Sequence, residues 1–236
     1  MEFSGKVLRI VCGHYGSGKT NVAVNLATAE KRLRPEREVA LADLDIVNPY
    51  FRSADAADLL RRAGVTPLVP PLANSNVDIP SLPPALTSYF GNEETAETRG
   101  KTAFLDVGGD DGAVVLGMYA GQIAQTGYEM LYVVSMYRPL TANPDDAAEL
   151  MREIESLSHL SCTGIVNNSS IGAETTAADV VDSVPWAIEC AEKCGLPLVC
   201  HAYRSDLLPD LPHAFAEAGL GDAVLLPMEN ATKRLF

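Results

Sequence analysis

The sequence predicts an α/β protein with a doubly wound, mostly parallel sheet of about seven strands and helices on both faces. Short apolar runs rich in β-branched residues alternate along the chain with longer helix-forming stretches. The first of these runs leads directly into a glycine-rich loop and then into a helical pattern. Ala, Val and Leu dominate, and aromatic residues make up only 6% of the chain, as is typical of parallel sheets covered by helices.

The alternating pattern defines the elements in chain order. The apolar runs predict strands at 7–12, 38–43, 102–106, 130–135, 162–166 and 196–200. Helices are predicted at 19–33, 54–63, 113–126, 143–158, 175–194 and 211–218. Prolines are frequent between residues 66 and 84, so that stretch is expected to be irregular, with a helix near 81–90 left open.

Composition and charge exclude several classes of protein. The chain has 236 residues without a linker or repeat, which suits one large domain over 1–236. Its net charge of −13 disfavours nucleic acid as a partner, because binding to a phosphate backbone depends on Lys and Arg. No apolar run reaches the ~18 residues of a membrane span, and no signal peptide is recognisable. We therefore expect a cytoplasmic protein, and the short tail with Pro227 disfavours membrane attachment.

Residues 13–20 carry the strongest functional signal. Their sequence, Gly-His-Tyr-Gly-Ser-Gly-Lys-Thr, fits the phosphate-loop pattern Gly-x-x-x-x-Gly-Lys-Thr between a strand and a helix. Glycines let backbone N–H groups approach phosphate oxygens, the lysine reaches the outer phosphates and the threonine hydroxyl binds Mg²⁺. The predicted nucleotide contacts in this loop are Gly13, Gly16, Ser17, Gly18, Lys19 and Thr20.

Two acidic segments follow later strands. Asp43 and Asp45 end the second strand, and Asp106 ends the third. Carboxylates at the carboxyl ends of parallel strands collect at the ligand crevice, where Mg²⁺ favours oxygen ligands. The alternative is that these residues are ordinary polar strand ends.

The three segments resemble the MinD/ParA/CobQ group of P-loop ATPases, which includes nitrogenase iron protein and belongs to the SIMIBI class. The group's pattern is a glycine loop, an Asp-x-Asp after the second strand and a later Asp-x-x-Gly. The matching segments here are 14–20, Asp43-Leu44-Asp45 and Asp106-Val107-Gly108-Gly109, all within about the first 110 residues.

The resemblance implies an enzyme, a Mg-ATP-dependent switch, with GTP not excluded. It places Asp43 near the magnesium shell and has Asp106 hold Mg²⁺ through water. It makes Asp45 the residue that orients or deprotonates the attacking water, beside the catalytic Lys19, and Gly109 a phosphate sensor. Asn167 occupies the position that contacts the purine; the alternative for Asn167 is a turn cap.

One departure bears on catalysis. The group usually carries a lysine at the position of His14, which reaches into the partner's site across a homodimer. Histidine does not supply a fixed positive charge at neutral pH. Arg52 and Arg138 are the candidates for a substitute cation, each alternatively a surface or structural arginine.

Three functions stay open at this stage. The first is an ATPase that acts as a nucleotide-gated switch or an assembly and maturation factor, with a protein partner or a second copy of the chain. The second is a biosynthetic ATP-dependent enzyme of the cobyrinate or dethiobiotin synthetase type, which the absent lysine motivates. The third is a non-catalytic nucleotide-binding interaction module.

Three cysteines near the C-terminus form the remaining motif. Cys190 and Cys194 lie one helical turn apart, and Cys200 follows on the next strand. Thiolates at this spacing could bind a metal, but a Cys-x-x-x-Cys pair on an apolar helix face is more often core packing.

Overall fold

The computed structural model describes residues 6–44, 54–68, 82–91 and 100–230. Within these ranges eight strands form one parallel sheet in the order β3-β2-β4-β1-β5-β6-β7-β8. The strands are β1 (Leu8–Gly13), β2 (Glu38–Asp43), β3 (Val65–Leu68), β4 (Lys101–Gly108), β5 (Tyr128–Val134), β6 (Gly164–Asn167), β7 (Leu198–Arg204) and β8 (Leu225–Met228).

Helices connect the strands, as a parallel sheet requires. They are α1 (Lys19–Leu33), α2 (Ala54–Arg62), α3 (Gly109–Met118), α4 (Ala120–Thr126), α5 (Pro144–Ser158), α6 (Ala177–Asp182), α7 (Val184–Cys194) and α8 (Leu211–Glu217). Short 3-10 turns occupy Pro84–Tyr89, Gly172–Glu174 and Ser205–Leu207. None of the helices in the described ranges is long and apolar enough to cross a membrane.

The sheet is covered on both faces. One face packs against α1, whose Val22 and Leu26 join Leu41 and Phe104 of the sheet in one apolar cluster. The other face packs against α3, α5 and α7 in a second and larger cluster. Because side chains alternate along a strand, this division settles which face each residue of a strand occupies.

The predicted fold class is confirmed, and the departures from it are local. The helix predicted over 113–126 is two helices that meet at Tyr119, and the helix predicted over 175–194 is interrupted at Ser183. Pro185 explains the second break, because its ring cannot follow a helical turn without clashing with the carbonyl four residues earlier. Thr176 and Asp179 cap α6 through a reciprocal pair of hydrogen bonds.

Two strands were not predicted. Residues 65–68 were assigned to an irregular proline-rich stretch but pair with β2, and residues 225–228 pair with β7. Pro67 and Pro227 lie in these strands. Both strands are at an edge of the sheet, where a missing N–H can face away from the ladder and proline is tolerated.

The strand order determines where a ligand can bind. Strand β1 lies between β4 and β5: the connection after β1 leads to β2 on one side of it, and the connection after β4 leads to β5 on the other side. In open parallel sheets, the crevice at such a switch point lies outside the carboxyl ends of the strands. The loop after β1 is therefore at the position where this fold accommodates ligands.

Candidate nucleotide-binding site

The loop between β1 and α1 is held in a shape that glycine permits. Gly16 and Gly18 have φ values of +80° and +81°, in the left-handed region that other residues rarely adopt. The N–H of Ser17 donates to the carbonyl of His14 at 3.1 Å. A chain that turns through alternating conformations in this way forms a concavity lined by N–H groups, which suits an anion.

Gly13 allows the loop to lie close to the sheet. A Cβ at Gly13 would lie 2.7 Å from the Ser17 hydroxyl oxygen and 2.7 Å from the carbonyl oxygen of Val133. The Val133 atom belongs to the backbone of β5 and cannot move aside. Gly13 is therefore a residue of close approach, as the motif predicts for its first glycine.

Lys19 and Thr20 are the first two residues of α1. Lys19 is buried and Thr20 is half-buried. The N–H groups of the first helical turn and the helix dipole place partial positive charge at this end of α1. Loop, lysine and helix terminus thus combine three features that stabilise a bound anion.

Asp43 and Asp106 lie side by side under this helix terminus. They are register partners in β2 and β4, and each is buried. Asp43 follows Leu41 by two residues and Asp106 follows Phe104 by two, and both apolar residues pack against α1. Alternation therefore directs both carboxylates to the face that α1 covers. Two buried carboxylates on the face that α1 covers, together with the hydroxyl of Thr20 in the first turn of α1, are the oxygen donors that Mg²⁺ prefers.

Gly109 begins α3 directly after β4, with φ +46°. Apart from its chain neighbours and its own helix, no described residue comes within 4 Å of the position of a Cβ on Gly109. Its place at the carboxyl end of β4, beside β1, fits the predicted contact with a phosphate, which stays a prediction.

Asn168 links the loop to the other half of the sheet. Its side-chain N–H donates to the Ser17 carbonyl at 2.7 Å, and its backbone N–H donates to the Val134 carbonyl at 2.8 Å. It follows Val166, which packs on the α1 face, by two residues, so alternation points it at the loop. Asn168 was not predicted, although the strand period could have distinguished it from Asn167.

Asn167, the predicted purine contact, has its side chain on the opposite face. Its amide N–H groups donate to the Ser183 hydroxyl at 2.9 Å and to Nδ1 of His201 at 3.0 Å. Its carbonyl oxygen accepts from both the N–H and the hydroxyl of Ser169. Contact of this amide with a base would require some of these bonds to break, and its role stays a prediction.

Burial of His201 makes the stability of the fold depend on pH. Acceptance at Nδ1 assigns the proton to Nε2, and burial lowers the pKa of His201 to about 4. The unfolded histidine binds its proton near pH ~6.5. The unfolded state therefore holds more protons between these values, and stability falls as the pH is lowered through this window.

We expect His201 to lower the free energy of unfolding by about 2–3 kcal/mol when the pH is lowered from 7 to 4.5. Urea unfolding of the protein and of His201→Gln at both pH values measures it. The stability of the variant relative to the parent should rise by that amount at the lower pH. Parallel losses in the two proteins would contradict the assignment.

Arg138 lies against the loop at Gly16. A Cβ at Gly16 would be 3.5 Å from its Nε and 3.6 Å from its Cζ. The residue follows β5 and is exposed. His14 is half-buried and Tyr15 is exposed at the same edge of the sheet. Of the two arginines predicted as substitute cations, Arg138 is thus beside the loop.

Two predicted residues lie outside the described ranges, namely Asp45, the predicted catalytic carboxylate, and Arg52. Their roles stay predictions.

The cysteines do not converge on one site. Cys190 packs in the core on the α7 face, whereas Cys200 packs on the α1 face. Burial raises the pKa of Cys190 to about 12, of Cys194 to about 11 and of Cys200 to about 12, which disfavours the thiolate that a metal needs. Among the described residues no group of three His, Cys, Asp or Glu side chains is arranged to hold a metal ion.

No protein-family model matches the chain, and no curated protein matches it in sequence. Among solved structures, it is similar to chloroplast FtsY from Physcomitrella patens, with a TM-score of 0.54 and 15% identity over 85% of this chain and 59% of that one. It is also similar to the signal recognition particle 54 kDa protein from Aeropyrum pernix K1, solved in complex with GDP, with a TM-score of 0.51 and 13% identity over 94% and 48% of the two chains. A ParA family ATPase from Chlorobium tepidum TLS aligns over 93% of this chain and 96% of its own, with 16% identity and a TM-score of 0.46.

These likenesses show the fold. The chain shares the α/β fold of FtsY and of the signal recognition particle 54 kDa protein, and the predicted resemblance is confirmed at the level of the fold. The chain spans 59% of the first of these structures and 48% of the second. The motif residues and their geometry, rather than the neighbours, therefore carry the argument about function.

Proposed function

We propose that this protein binds Mg-ATP at residues 13–20 and hydrolyses it, acting as a nucleotide-gated switch or assembly factor. The observation that carries the proposal is the loop itself. Two left-handed glycines, a glycine pressed against β5 and a buried lysine occur together at the topological switch point of the sheet. Each is needed to bring N–H groups and a positive charge around a phosphate chain.

Magnesium would be held beside the phosphates. Thr20, Asp43 and Asp106 provide a hydroxyl and two carboxylates on the same face of the sheet, with Asp106 acting through water. When bound, Mg²⁺ neutralises phosphate charge and orients the outer phosphates for attack. The protein residues orient this arrangement: Lys19 binds the outer phosphates and Gly109 offers an N–H beside the same site.

A change in nucleotide state could be transmitted through the segments next to the site. Residues 44–53 follow Asp43, and α3 begins at Gly109. Elements that contact a terminal phosphate alter their position when it is lost, which is how a nucleotide regulates binding to a partner. We propose a protein partner or a second copy of the chain as the recipient.

Phosphate release from Mg-ATP and Mg-GTP, without any added metabolite or partner, tests this function. We expect turnover with Mg-ATP that stops when EDTA removes the metal and that Lys19→Ala abolishes. Faster turnover of GTP would reassign the nucleotide. Tight binding without any hydrolysis would contradict the ATPase and favour the non-catalytic module.

The biosynthetic alternative retains one supporting observation. The loop has His14 where the resembling ATPases carry a lysine that acts on a partner's nucleotide. An enzyme that passes phosphate to a small carboxylate does not need that lysine. ADP release that requires an added carboxylate metabolite would favour this alternative over the switch.

A further inference from the structure

We propose that Arg138 binds the phosphate chain of the nucleotide from within the same chain and supplies the loop with a second positive charge besides Lys19. This inference rests on the proposed function and deepens it. The observation behind it is the position of the guanidinium, whose Nε and Cζ are 3.5 and 3.6 Å from where a Cβ on Gly16 would be. Gly16 is in the middle of the loop that would surround the phosphates.

Hydrogen bonds hold the turn that carries Arg138. The Arg138 N–H donates to the Ser135 carbonyl at 3.3 Å, and its own carbonyl accepts from the N–H of Thr141 at 3.0 Å. The Thr141 hydroxyl also donates to the Ser135 carbonyl, at 2.7 Å. The Met136 N–H donates to the Ser169 hydroxyl at 2.9 Å. The turn after β5 therefore holds the backbone of this residue beside the loop.

The guanidinium has no anionic partner within the ranges that the structure describes, although the chain carries a net charge of −13. Of the other described arginines, five form an ion pair with Asp or Glu, namely Arg9, Arg34, Arg37, Arg61 and Arg204. Arg32, Arg62 and Arg152 form none with a described residue, so it is the place of Arg138 beside the loop that distinguishes it. An exposed cation beside an anion-binding loop is available to a phosphate oxygen through charge-assisted hydrogen bonds.

Arg138 and the two carboxylates approach the loop from different sides. The guanidinium lies at van der Waals distance from the position of a Cβ on Gly16, and therefore next to the loop backbone. The His14 carbonyl is occupied by the Ser17 N–H on the inner side of the turn. Arg138 thus approaches from the β5 side, whereas Asp43 and Asp106 approach from the side of β2 and β4. Positive and negative groups flank the loop from opposite sides.

Four variants of the full chain separate charge from packing. Arg138→Ala removes the side chain, Arg138→Met keeps its apolar stem, and Arg138→Lys keeps a charge. Arg152→Ala, on the exposed side of α5, removes one charge far from the loop and is the matched control. Calorimetry gives the dissociation constants for Mg-ATP and Mg-ADP at low and moderate salt, and thermal melting monitors folding.

We expect the alanine and methionine variants to bind Mg-ATP about tenfold more weakly, with a shallower dependence on salt. The lysine variant should recover part of the affinity, and Arg152→Ala should match the parent. Unchanged affinity in the alanine variant, or recovery by methionine and not by lysine, would overturn the inference. A parent protein that binds no nucleotide would instead refute the proposed function.

Discussion

Replacing Gly18 with alanine is expected to weaken Mg-nucleotide binding by at least about 100-fold. A Cβ on Gly18 would lie 2.2 Å from the side-chain nitrogen of Asn168, and its φ of +81° is strained for any other residue. Relief would require Asn168 to leave the Ser17 carbonyl, which it contacts at 2.7 Å. The loop would then lose the bond that holds it to the end of β6. Calorimetric titration with Mg-ATP measures the loss.

Gly219→Ala is the matched control for this substitution. Gly219 has a similar φ of +74°, but in the part of the chain that the structure describes only its own chain neighbours come within 4 Å of the position of a Cβ there. We expect it to lower stability by about 1 kcal/mol and to leave nucleotide affinity unchanged. Adding Asn168→Ala to Gly18→Ala removes the clash and should recover affinity only in part, because the strain in φ remains. Affinity equal to the parent in Gly18→Ala itself would contradict the geometry of the loop.

Asp106→Asn is expected to lower Mg-dependent hydrolysis by about 10- to 100-fold while the protein still folds. The substitution keeps the shape of a fully buried side chain but removes the negative charge that would orient the metal's water ligands. The effect should be seen as an increased Mg²⁺ requirement for both turnover and nucleotide binding. Nucleotide binding in the absence of metal should change little.

An exposed carboxylate provides the comparison for Asp106. Asp222→Asn, in the turn between α8 and β8, removes the same charge at the surface and should leave the Mg²⁺ requirement unchanged. Thermal melting of both variants shows whether the fold is retained. An Asp106→Asn protein with the Mg²⁺ requirement of the parent would remove Asp106 from the metal site.

The parts of the site that are local in sequence were predictable. Residues 13–20 are contiguous, and their pattern defines a loop shape that needs positive φ at Gly16 and Gly18, which the structure has. Asp43 and Asp106 are expected at the same edge of the sheet because the carboxyl ends of parallel strands meet there. Their exact pairing depends on β2 and β4 being adjacent in the sheet, which the sequence alone does not specify.

Residues that join the site through tertiary contacts were harder to predict. Asn167 and Asn168 are neighbours of the same type, and one residue of register places their side chains on opposite faces of the sheet. The structure shows that Asn168 reaches the loop. The position of Arg138 over Gly16 depends on the turn after β5, whose conformation follows from the bonds of Ser135 and Thr141.

The edge strands illustrate another limit. Val65–Leu68 and Leu225–Met228 are only four residues long and each contains a proline, so their sequences are typical of loops. They become strands because a neighbouring strand offers its open edge, and one side of an edge strand needs no hydrogen-bond donor. Pairing with a partner distant in the sequence thus overrides local preference.

Calorimetric titration of Mg-ATP into the protein and into Lys19→Ala tests the central claim most directly. The account predicts saturable binding of one nucleotide per chain to the parent and a loss of most of that affinity in the variant, because the buried lysine at the start of α1 binds the outer phosphates. Equal affinity in the two proteins, or no binding of Mg-ATP or Mg-GTP to the parent, would contradict it.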